Sequence, residues 1–389
     1  MPSAGTVTTP PQQGTSQPTQ QAPQVPFAQA SHHGCEQAAV FTAVQPGAAQ
    51  QTLGPTPLPA TGYLRRVCIE VSNNTAGVGD TFNGDGPFNL FALIRLTDTN
   101  GAPIFELSGY NTCLADTYGG FAGASDPRVL PDYSMGGGNT ATFNIYVPLE
   151  LDPTGMGSPA NLSASSAYRL TLIVDTTANI YQVTGTAQKF NITIWNEYWT
   201  LPNQTDGQGR QQAIAPPYAG TIQLWSQQPN VSVAAGTQRT PLNRMGNLLR
   251  SVLGVYRSSS LVRSDGVVGD PLTLRWDDIN LDVASRQLIR TRMREYVNDL
   301  TSRDVGVYMF GLYNYGLGRL VGDRSVVSWL PTVSATRYEV NNSAGAGGTM
   351  DWIINDVSVA ATAPQSRAVA GGAGVQFHPP VAPVVPGAV

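Results

Sequence analysis

The sequence predicts an all-β protein built from two related units. Composition is the first indication, because only 12% of the 389 residues are charged whereas the chain contains 41 glycines and 29 prolines. This composition is typical of many short strands joined by turns and unusual for a helical bundle. The other two indications are a repeated alternation of apolar and polar residues and a set of identities between the two halves of the chain.

Residues 1–60 are predicted to form a flexible N-terminal arm. Glu36 is the only charged residue among them, and the segment is rich in glutamine, proline and threonine. Such a segment buries too little apolar surface to offset its loss of chain entropy, and proline lacks the N–H that a strand ladder needs. Residues 361–389 have a similar composition and are predicted to form a C-terminal arm.

Alternation with a period of two predicts the strands of a first unit at residues 61–205. It recurs at residues 63–71, 88–96, 141–149, 168–174 and 190–195. Each such strand has one buried and one exposed face. Residues 206–240 are rich in glutamine, proline and glycine and are predicted to be a linker or long loop. The strands of a second unit, residues 241–360, are expected at 248–256, 305–312, 326–330 and 350–359.

The two units are predicted to be related by duplication. A shift of 184 residues aligns Gly62 with Gly246, Leu64 with Leu248, Arg66 with Arg250, Pro87 with Pro271, Leu90 with Leu274 and Asp98 with Asp282. These matches fall at comparable strand starts in both halves, so an internal duplication is the simple interpretation.

One segment, residues 282–300, is predicted to be a helix with Asp282 as its N-cap. Its apolar face consists of Ile289, Met293, Tyr296, Val297 and Leu300. Its other face carries Arg286, Arg290, Arg292 and Arg294. These arginines form either a basic contact surface or a solvated face paired with Glu295 and Asp299, and the second interpretation is favoured.

No catalytic, cofactor-binding or metal-binding residue is predicted, and the chain is not expected to be an enzyme. The three histidines, His32, His33 and His378, all lie in the predicted arms, whereas catalytic and metal-binding imidazoles need a rigid support. Residues 80–86 contain several oxygen ligands and glycines, but their spacing differs from that of a calcium loop, so a turn is favoured. The three cysteines, Cys35, Cys68 and Cys113, have no metal-site spacing and are predicted to be small apolar fillers.

Charge and hydropathy exclude further classes. A net charge of −4 provides no basic field for phosphates, so direct nucleic-acid binding is not expected. The sequence shows neither a signal-peptide pattern nor an apolar stretch of membrane-spanning length, so neither secretion by that route nor a transmembrane span is expected.

Several short motifs, in this order, resemble the major capsid proteins of tectivirus-like phages. The motifs are Gly62-Tyr63-Leu64-Arg65-Arg66, Gly86-Pro87-Phe88-Asn89-Leu90, Ser108-Gly109-Tyr110, Tyr146-Val147-Pro148-Leu149 and, after the arginine-bearing helix, Gly306-Val307-Tyr308. The resemblance implies a double jelly roll, which is two eight-stranded sandwiches side by side, with a few short helices and extended arms. It also implies pseudo-hexagonal homotrimers that form the icosahedral shell of a tailless phage around an internal membrane.

The same resemblance implies the partners of the chain. They are further copies of itself, the penton or vertex proteins, minor capsid proteins and the internal membrane at the inner face of the shell. The chain is expected in the virion after synthesis in the cytoplasm of a bacterial host. Scattered apolar residues in the arms, Phe27, Phe41, Val375 and Phe377, are predicted to be assembly contacts that become ordered on a neighbouring molecule.

Two other functions stay open at this point. A jelly-roll spike that binds a receptor or carbohydrate would place aromatic residues at loop tips, and Tyr118, Phe121 and Tyr133 lie in a glycine-rich region. Packing inside that loop is an equally good interpretation of these residues. A β-sandwich glycosidase would need two carboxylates across a cleft, and no acidic pair stands out.

Overall fold

The structure is a computed structural model that describes residues 24–75, 79–118, 142–151, 157–186, 188–242, 247–296, 305–310, 330–331, 338–344 and 346–358. The strands are β1 (His33–Val44), β2 (Gln51–Pro57), β3 (Gly62–Thr75), β4 (Thr81–Phe82), β5 (Phe91–Thr97), β6 (Pro103–Leu107), β7 (Phe143–Pro148), β8 (Ala160–Asn161), β9 (Arg169–Val174), β10 (Tyr181–Val183), β11 (Lys189–Trp199), β12 (Ile222–Val233), β13 (Gly236–Pro241), β14 (Leu248–Ser258), β15 (Leu272–Trp276), β16 (Ile279–Ala284), β17 (Val307–Phe310), β18 (Leu330–Pro331), β19 (Tyr338–Ala344) and β20 (Gly348–Ser358). The helices are α1 (Phe27–Ala30), α2 (Gly109–Tyr118), α3 (Thr177–Ile180) and α4 (Arg286–Tyr296). The prediction of an all-β protein is confirmed.

Three sheets make up most of the molecule. The first outer sheet has the strand order β1-β11-β3-β7, and the second outer sheet has the order β13-β19-β15-β16. In a third sheet, the shared sheet, β17-β14-β20-β12-β6-β5-β9-β2 run side by side. Two short strands extend these sheets, since β8 pairs with β3 and β18 pairs with β14. Buried side chains from all three sheets share one hydrophobic core, so we describe each half of the chain as a two-layered sandwich made of one outer sheet and one half of the shared sheet.

The two sandwiches repeat the same order of elements. β3 lies between β11 and β7 in the first outer sheet, just as β14 lies between β20 and β17 in the shared sheet. A helix follows the corresponding strand in both halves, α2 after β6 and α4 after β16. The shift of 184 residues places β3 on β14, so the topology agrees with the predicted duplication.

Alternation explains why these segments are strands and where the core lies. In β3 the side chains of Val67, Ile69 and Val71 are fully buried, while Arg66 and Glu70 on the opposite face are only partly buried. In β14 and β20 nearly every residue is buried, because both faces of this part of the shared sheet are covered. One continuous hydrophobic core therefore extends through both sandwiches.

The strand registers bring both ends of the described chain to one end of the molecule. Ile222 at the start of β12 lies opposite Ser358 at the end of β20, and Gln24 donates a side-chain hydrogen bond to the carbonyl of Gln212 in the connector just before β12. Thr200, directly after β11, donates its backbone N–H to the carbonyl of His32. We call this the termini end.

Two predicted boundaries are wrong. Residues 33–57 were expected in the flexible arm, but β1 pairs with β11 and β2 pairs with β9. Residues 222–241 were expected in the linker, but they form β12 and β13. The alternation of β1 is weak because this edge strand has few buried side chains, and Gly54-Pro55 interrupts β2 with a bulge. Residues 1–23 and the predicted C-terminal arm lie outside the described residues.

The predicted helix begins later than expected. α4 spans Arg286–Tyr296, and Ile289 and Met293 are buried as the spacing predicted. Asp282 lies in β16 and is not the N-cap. Ser285 takes that role, because its side-chain oxygen accepts the backbone N–H of Leu288. Val297 and Leu300 lie outside the described residues.

Candidate functional site

The junction between the sandwiches is the first candidate site. There β12 pairs in parallel with β6, with Trp225 opposite Phe105, so backbone hydrogen bonds connect the two halves directly. α2 lies beside this seam with nearly all of its residues buried. Gln227 of β12 accepts hydrogen bonds from the side chain of Asn111, at 2.8 Å, and from the backbone N–H of Ser108, at 2.9 Å. The helix is thus held by both halves of the chain.

A cluster of ion pairs crosses the junction at the end opposite the termini. Asp85 of the first sandwich accepts from Arg257 at 2.8 Å and from Arg263 at 2.8 Å, and both arginines belong to the second sandwich. Arg257 also pairs with Asp351. The side chains of these four residues are only 13–20% exposed. Asp85 lies in a turn, as expected for residues 80–86, and its carboxylate connects the two halves.

A second polar network crosses the junction near the termini end. The Glu150 carboxylate accepts from Arg65 Nε at 2.9 Å and from Trp199 Nε1 at 3.0 Å. The Glu150 carbonyl accepts from Gln223 Nε2 of the second sandwich at 2.7 Å. Arg250 in turn donates to Gln223 Oε1 at 3.2 Å. Polar contacts therefore connect the two sandwiches near both of their ends.

One carboxyl group in α2 is buried in an unfavourable setting. Asp116 is only 6% exposed, and its Oδ1 has no hydrogen-bond partner. Burial raises the pKa of Asp116 to about 7, an effect opposed by the charge of Arg66 and reinforced by Glu197. The folded protein therefore favours the neutral form of this group.

Three arginines of α4 are engaged within their own sandwich. Arg290 contacts both carboxylate oxygens of Asp265, at 2.6 and 2.8 Å, and Arg292 contacts Asp282 at 3.1 Å. Arg286 donates to the carbonyl of Asp265. These arginines are therefore paired with acidic residues, as the favoured interpretation predicted, but the partners that the structure describes are Asp265 and Asp282 and not the expected Glu295 and Asp299. Glu295 and Asp299 lie where the structure describes no side chain.

The outer face of the first outer sheet carries a cleft of about 380 Å³. Cys35, Cys68, Glu70, Asn144, Trp195 and Glu197 line this cleft, which we call the outer-sheet cleft. Trp195 Nε1 donates to Glu70 Oε2 at 2.7 Å. Burial raises the pKa of Cys68 to about 12 and also raises that of Cys35, so both thiols are neutral at physiological pH. The negative charge of the cleft therefore belongs to its carboxylates. Cys35 is exposed, which corrects its prediction as an apolar filler.

The termini end exposes several large apolar side chains. They are Leu162 at 53%, Leu201 at 53%, Ile214 at 50% and Tyr218 at 46% exposure. The first three lie near Tyr63, whose hydroxyl donates to the carbonyl of Ile214. Other parts of the described chain also expose large apolar side chains, among them Leu261 at 64% and Val262 at 62%, so the termini end is one of several apolar surfaces.

Comparison with known proteins gives likeness only at the level of structure. No protein-family model matches the sequence, and no curated protein matches it. The major capsid protein of Sulfolobus Turreted Icosahedral Virus superposes with a TM-score of 0.60 at 11% identity, over 87% of this chain and 99% of that chain. The chain has the double jelly-roll fold of viral major capsid proteins.

Two further structures share this fold. VP54 of PBCV-1, fitted into a reconstruction of the virophage Sputnik, gives a TM-score of 0.56 at 12% identity over 84% of this chain and 94% of that chain. The Faustovirus major capsid protein gives a TM-score of 0.53 at 10% identity, over 88% of this chain and 92% of that chain. The predicted double jelly roll is confirmed. Among the described residues, each layer has a run of four adjacent strands, and the short strands β8 and β18 add to two of the layers.

Two of the residues predicted to be assembly contacts, Phe27 and Phe41, pack against their own chain. Phe27 is 2% exposed and packs on Tyr63 and Trp199 of its own chain, with ring centroids 5.5 and 5.8 Å apart. It is therefore an internal anchor in this structure and not a free contact for a neighbour. Phe41 is half-buried against the core of the first jelly roll. Val375 and Phe377 lie outside the described residues, so their role stays a prediction.

Other residues considered as sites have structural roles or lie outside the description. Tyr118, considered as a loop-tip aromatic residue, is completely buried at the end of α2, and Phe121 and Tyr133 lie outside the described residues. Among the residues that the structure describes, no group of three or more histidine, cysteine or acidic side chains could hold a metal. The described part of the chain also contains no helix long and apolar enough to cross a membrane.

Sequence reasoning missed the outer-sheet cleft. The available signal was the strand at residues 190–195, where Trp195 stands on the otherwise polar face. A tryptophan on the polar face of a strand indicates a contact surface. The partner of Trp195, Glu70, comes from another strand and could be found only from the register of β3 with β11.

Proposed function

We propose that this chain is the major capsid protein of an icosahedral virus and that three copies form a homotrimer with a pseudo-hexagonal outline. The observation that carries the proposal is the likeness to viral major capsid proteins over nearly the whole length of both chains. The two fused jelly rolls of one chain supply two of the six lobes of such a trimer. A spike that binds a receptor or carbohydrate is the alternative function.

The junction supports a role as a building block. Shared backbone hydrogen bonds, a continuous core and two polar networks keep the jelly rolls in one relative position. Each copy therefore presents the same outline to its neighbours, as symmetric assembly requires.

The termini end supports an inward-facing surface. Both ends of the described chain lie there, next to the exposed side chains of Leu162, Leu201 and Ile214. We place this end toward the interior of the shell, where the arms reach neighbouring trimers, minor capsid or vertex proteins and an internal membrane. In this proposal the chain is made in the cytoplasm of a bacterial host and ends in the virion.

Copy number and mass test the proposal. Sedimentation of the purified chain should give three times the monomer mass, and the protein should be the most abundant chain of purified particles. A trimer found only at the vertices would support the spike instead. A monomer at micromolar concentration would overturn the trimer.

The C-terminal arm is tested by deletion. Removal of residues 361–389 is expected to leave the trimer and its melting temperature unchanged and to abolish particle assembly, because the arm contributes contacts between trimers in this proposal. Substitution of Val375 and Phe377 by serine in the full chain should give the same defect. Normal particles from both variants would contradict the role of the arm.

A further inference from the structure

The outer-sheet cleft combines an aromatic ring with an uncompensated carboxylate. Glu197 already pairs with Arg65 at 3.2 Å and with Arg66 at 2.7 Å. Glu70 accepts only the indole N–H of Trp195, and among the described residues it has no ion pair. An indole beside a free carboxylate matches a guanidinium group, which stacks on aromatic rings and pairs with carboxylates through two N–H groups.

Four of the residues that line the cleft lie on β3 and β11, the two central strands of the first outer sheet. Glu70 stands in register with Thr193 on one side and Asn144 on the other, so uncharged side chains flank it on both neighbouring strands. The neutral thiols of Cys35 and Cys68 add no charge. A single cation with a planar head would therefore satisfy the site.

The second outer sheet carries a matching group. Arg239 of β13 is exposed and makes no ion pair with any residue that the structure describes. Its row across the sheet continues with Asn341, Thr273 and Val283, none of which is charged. Thr273 is only 8% exposed whereas Val283 is 52% exposed, so the row presents Arg239 at one edge of the sheet and an apolar side chain at the other.

We propose that Arg239 of one copy enters the outer-sheet cleft of the next copy and pairs with Glu70 over the ring of Trp195. The contact joins the second jelly roll of one chain to the first jelly roll of its neighbour. Such a contact is heterologous, because the two surfaces differ, and three copies close it into a ring. The inference rests on the proposed trimer and names the side chains that hold it together.

A charge exchange tests the pair in the full chain. Glu70→Arg and Arg239→Glu should each raise the dissociation constant of the oligomer by about tenfold or more, measured by sedimentation, because each leaves two like charges facing each other. The double variant should recover most of the lost affinity. Arg169→Glu is the matched control, since Arg169 is also exposed and unpaired among the described residues but lies on β9, outside the proposed contact.

Cys35 supplies an independent readout that needs no substitution at the contact. It is the exposed thiol of the chain and lines the cleft, whereas Cys68 and Cys113 are buried. Alkylation of Cys35 should be at least tenfold slower in the oligomer than in dilute, dissociated protein. A Cys35→Ser variant identifies the labelled site, and Glu70→Gln repeats the test without a reversed charge.

The outcomes separate this inference from the proposed function. A wild-type monomer would overturn the trimer itself. A wild-type trimer whose dissociation constant is unchanged by Arg239→Glu, or in which Cys35 reacts as fast as in the monomer, would overturn only the contact. An equal effect of Arg169→Glu, or no recovery in the double variant, would also overturn the pairing of Arg239 with Glu70.

Discussion

Replacement of Asp116 by asparagine should change how stability depends on pH. The pKa of this buried carboxyl rises from 3.8 to about 7 in the folded protein. Below about pH 3 the group is protonated in both the folded and the unfolded chain and has no effect. As the pH rises from about 4 to about 7 the unfolded chain loses the proton first, so the folded state loses stability. Asparagine has nearly the same shape, cannot ionise and should remove this loss.

The magnitude follows from the shift of the pKa. One pKa unit corresponds to about 1.4 kcal/mol, so the charged group lowers the free energy of unfolding by about 4 kcal/mol above pH 7. For a chain of 389 residues the entropy of unfolding is about 0.8 kcal/mol/K. The melting temperature of Asp116→Asn, relative to the wild type, should therefore rise by about 5 °C between pH 4 and pH 8.

The assay is thermal unfolding of both proteins at several pH values and one protein concentration. The quantity compared is the melting temperature of Asp116→Asn minus that of the wild type. Any cost of the buried amide that does not depend on pH cancels when this difference at pH 4 is subtracted from the same difference at pH 8. Asp206→Asn is a control of opposite sign, because the backbone N–H of Arg210 and its guanidinium lower the pKa of Asp206. This control should be destabilised at neutral pH, and its difference from the wild type should disappear as the pH falls. A difference for Asp116→Asn that does not vary with pH would refute the reasoning.

Three further predictions concern the stability of the double jelly roll. Arg257→Met should lower the free energy of unfolding by about 3 kcal/mol, because the mostly buried Asp351 loses its ion-pair partner and Asp85 keeps only Arg263. Arg95→Met at an exposed ion pair should cost less than about 1 kcal/mol. Equal melting temperatures for the two variants would contradict this. Phe27→Ala should lower the free energy of unfolding by about 3 kcal/mol and increase proteolysis near residue 24, because the ring is buried against its own chain. An unchanged melting temperature together with defective assembly would instead favour a contact with a neighbouring molecule. Two fragments divided near Gln208 should aggregate, because the division exposes the core around β6 and β12; two soluble halves that melt cooperatively would show that the jelly rolls are independent.

Alternation and composition were sufficient to predict the fold class, and the identities between the halves agreed with the repeated topology. They could not predict β1, because this edge strand has few buried side chains to produce a pattern. They also could not predict β12, because the glutamines in Ile222–Val233 resemble a linker. Gln223 and Gln227 are instead used for hydrogen bonds across the junction, which depend on the partner elements and not on the local sequence.

The site residues show the same limit. Asp85 and Arg257 are 172 positions apart, and only the tertiary fold brings them together. Phe27 was predicted to contact a neighbouring molecule, but it packs on Tyr63 and Trp199 of its own chain, a pairing that the local sequence could not reveal. The fold class was therefore accessible from local patterns, whereas each contact surface depends on long-range pairing.

The pairing of β6 with β12 has a mechanical consequence. Two domains joined only by a flexible peptide bend at that peptide when a load is applied. Here the shared sheet passes from one jelly roll to the other without interruption, and α2 braces it from one side. Because close-packed interiors transmit strain instead of absorbing it, a force on one jelly roll is carried to the other. A shell made of such chains would deform at the interfaces between molecules, and each chain would move as one rigid body.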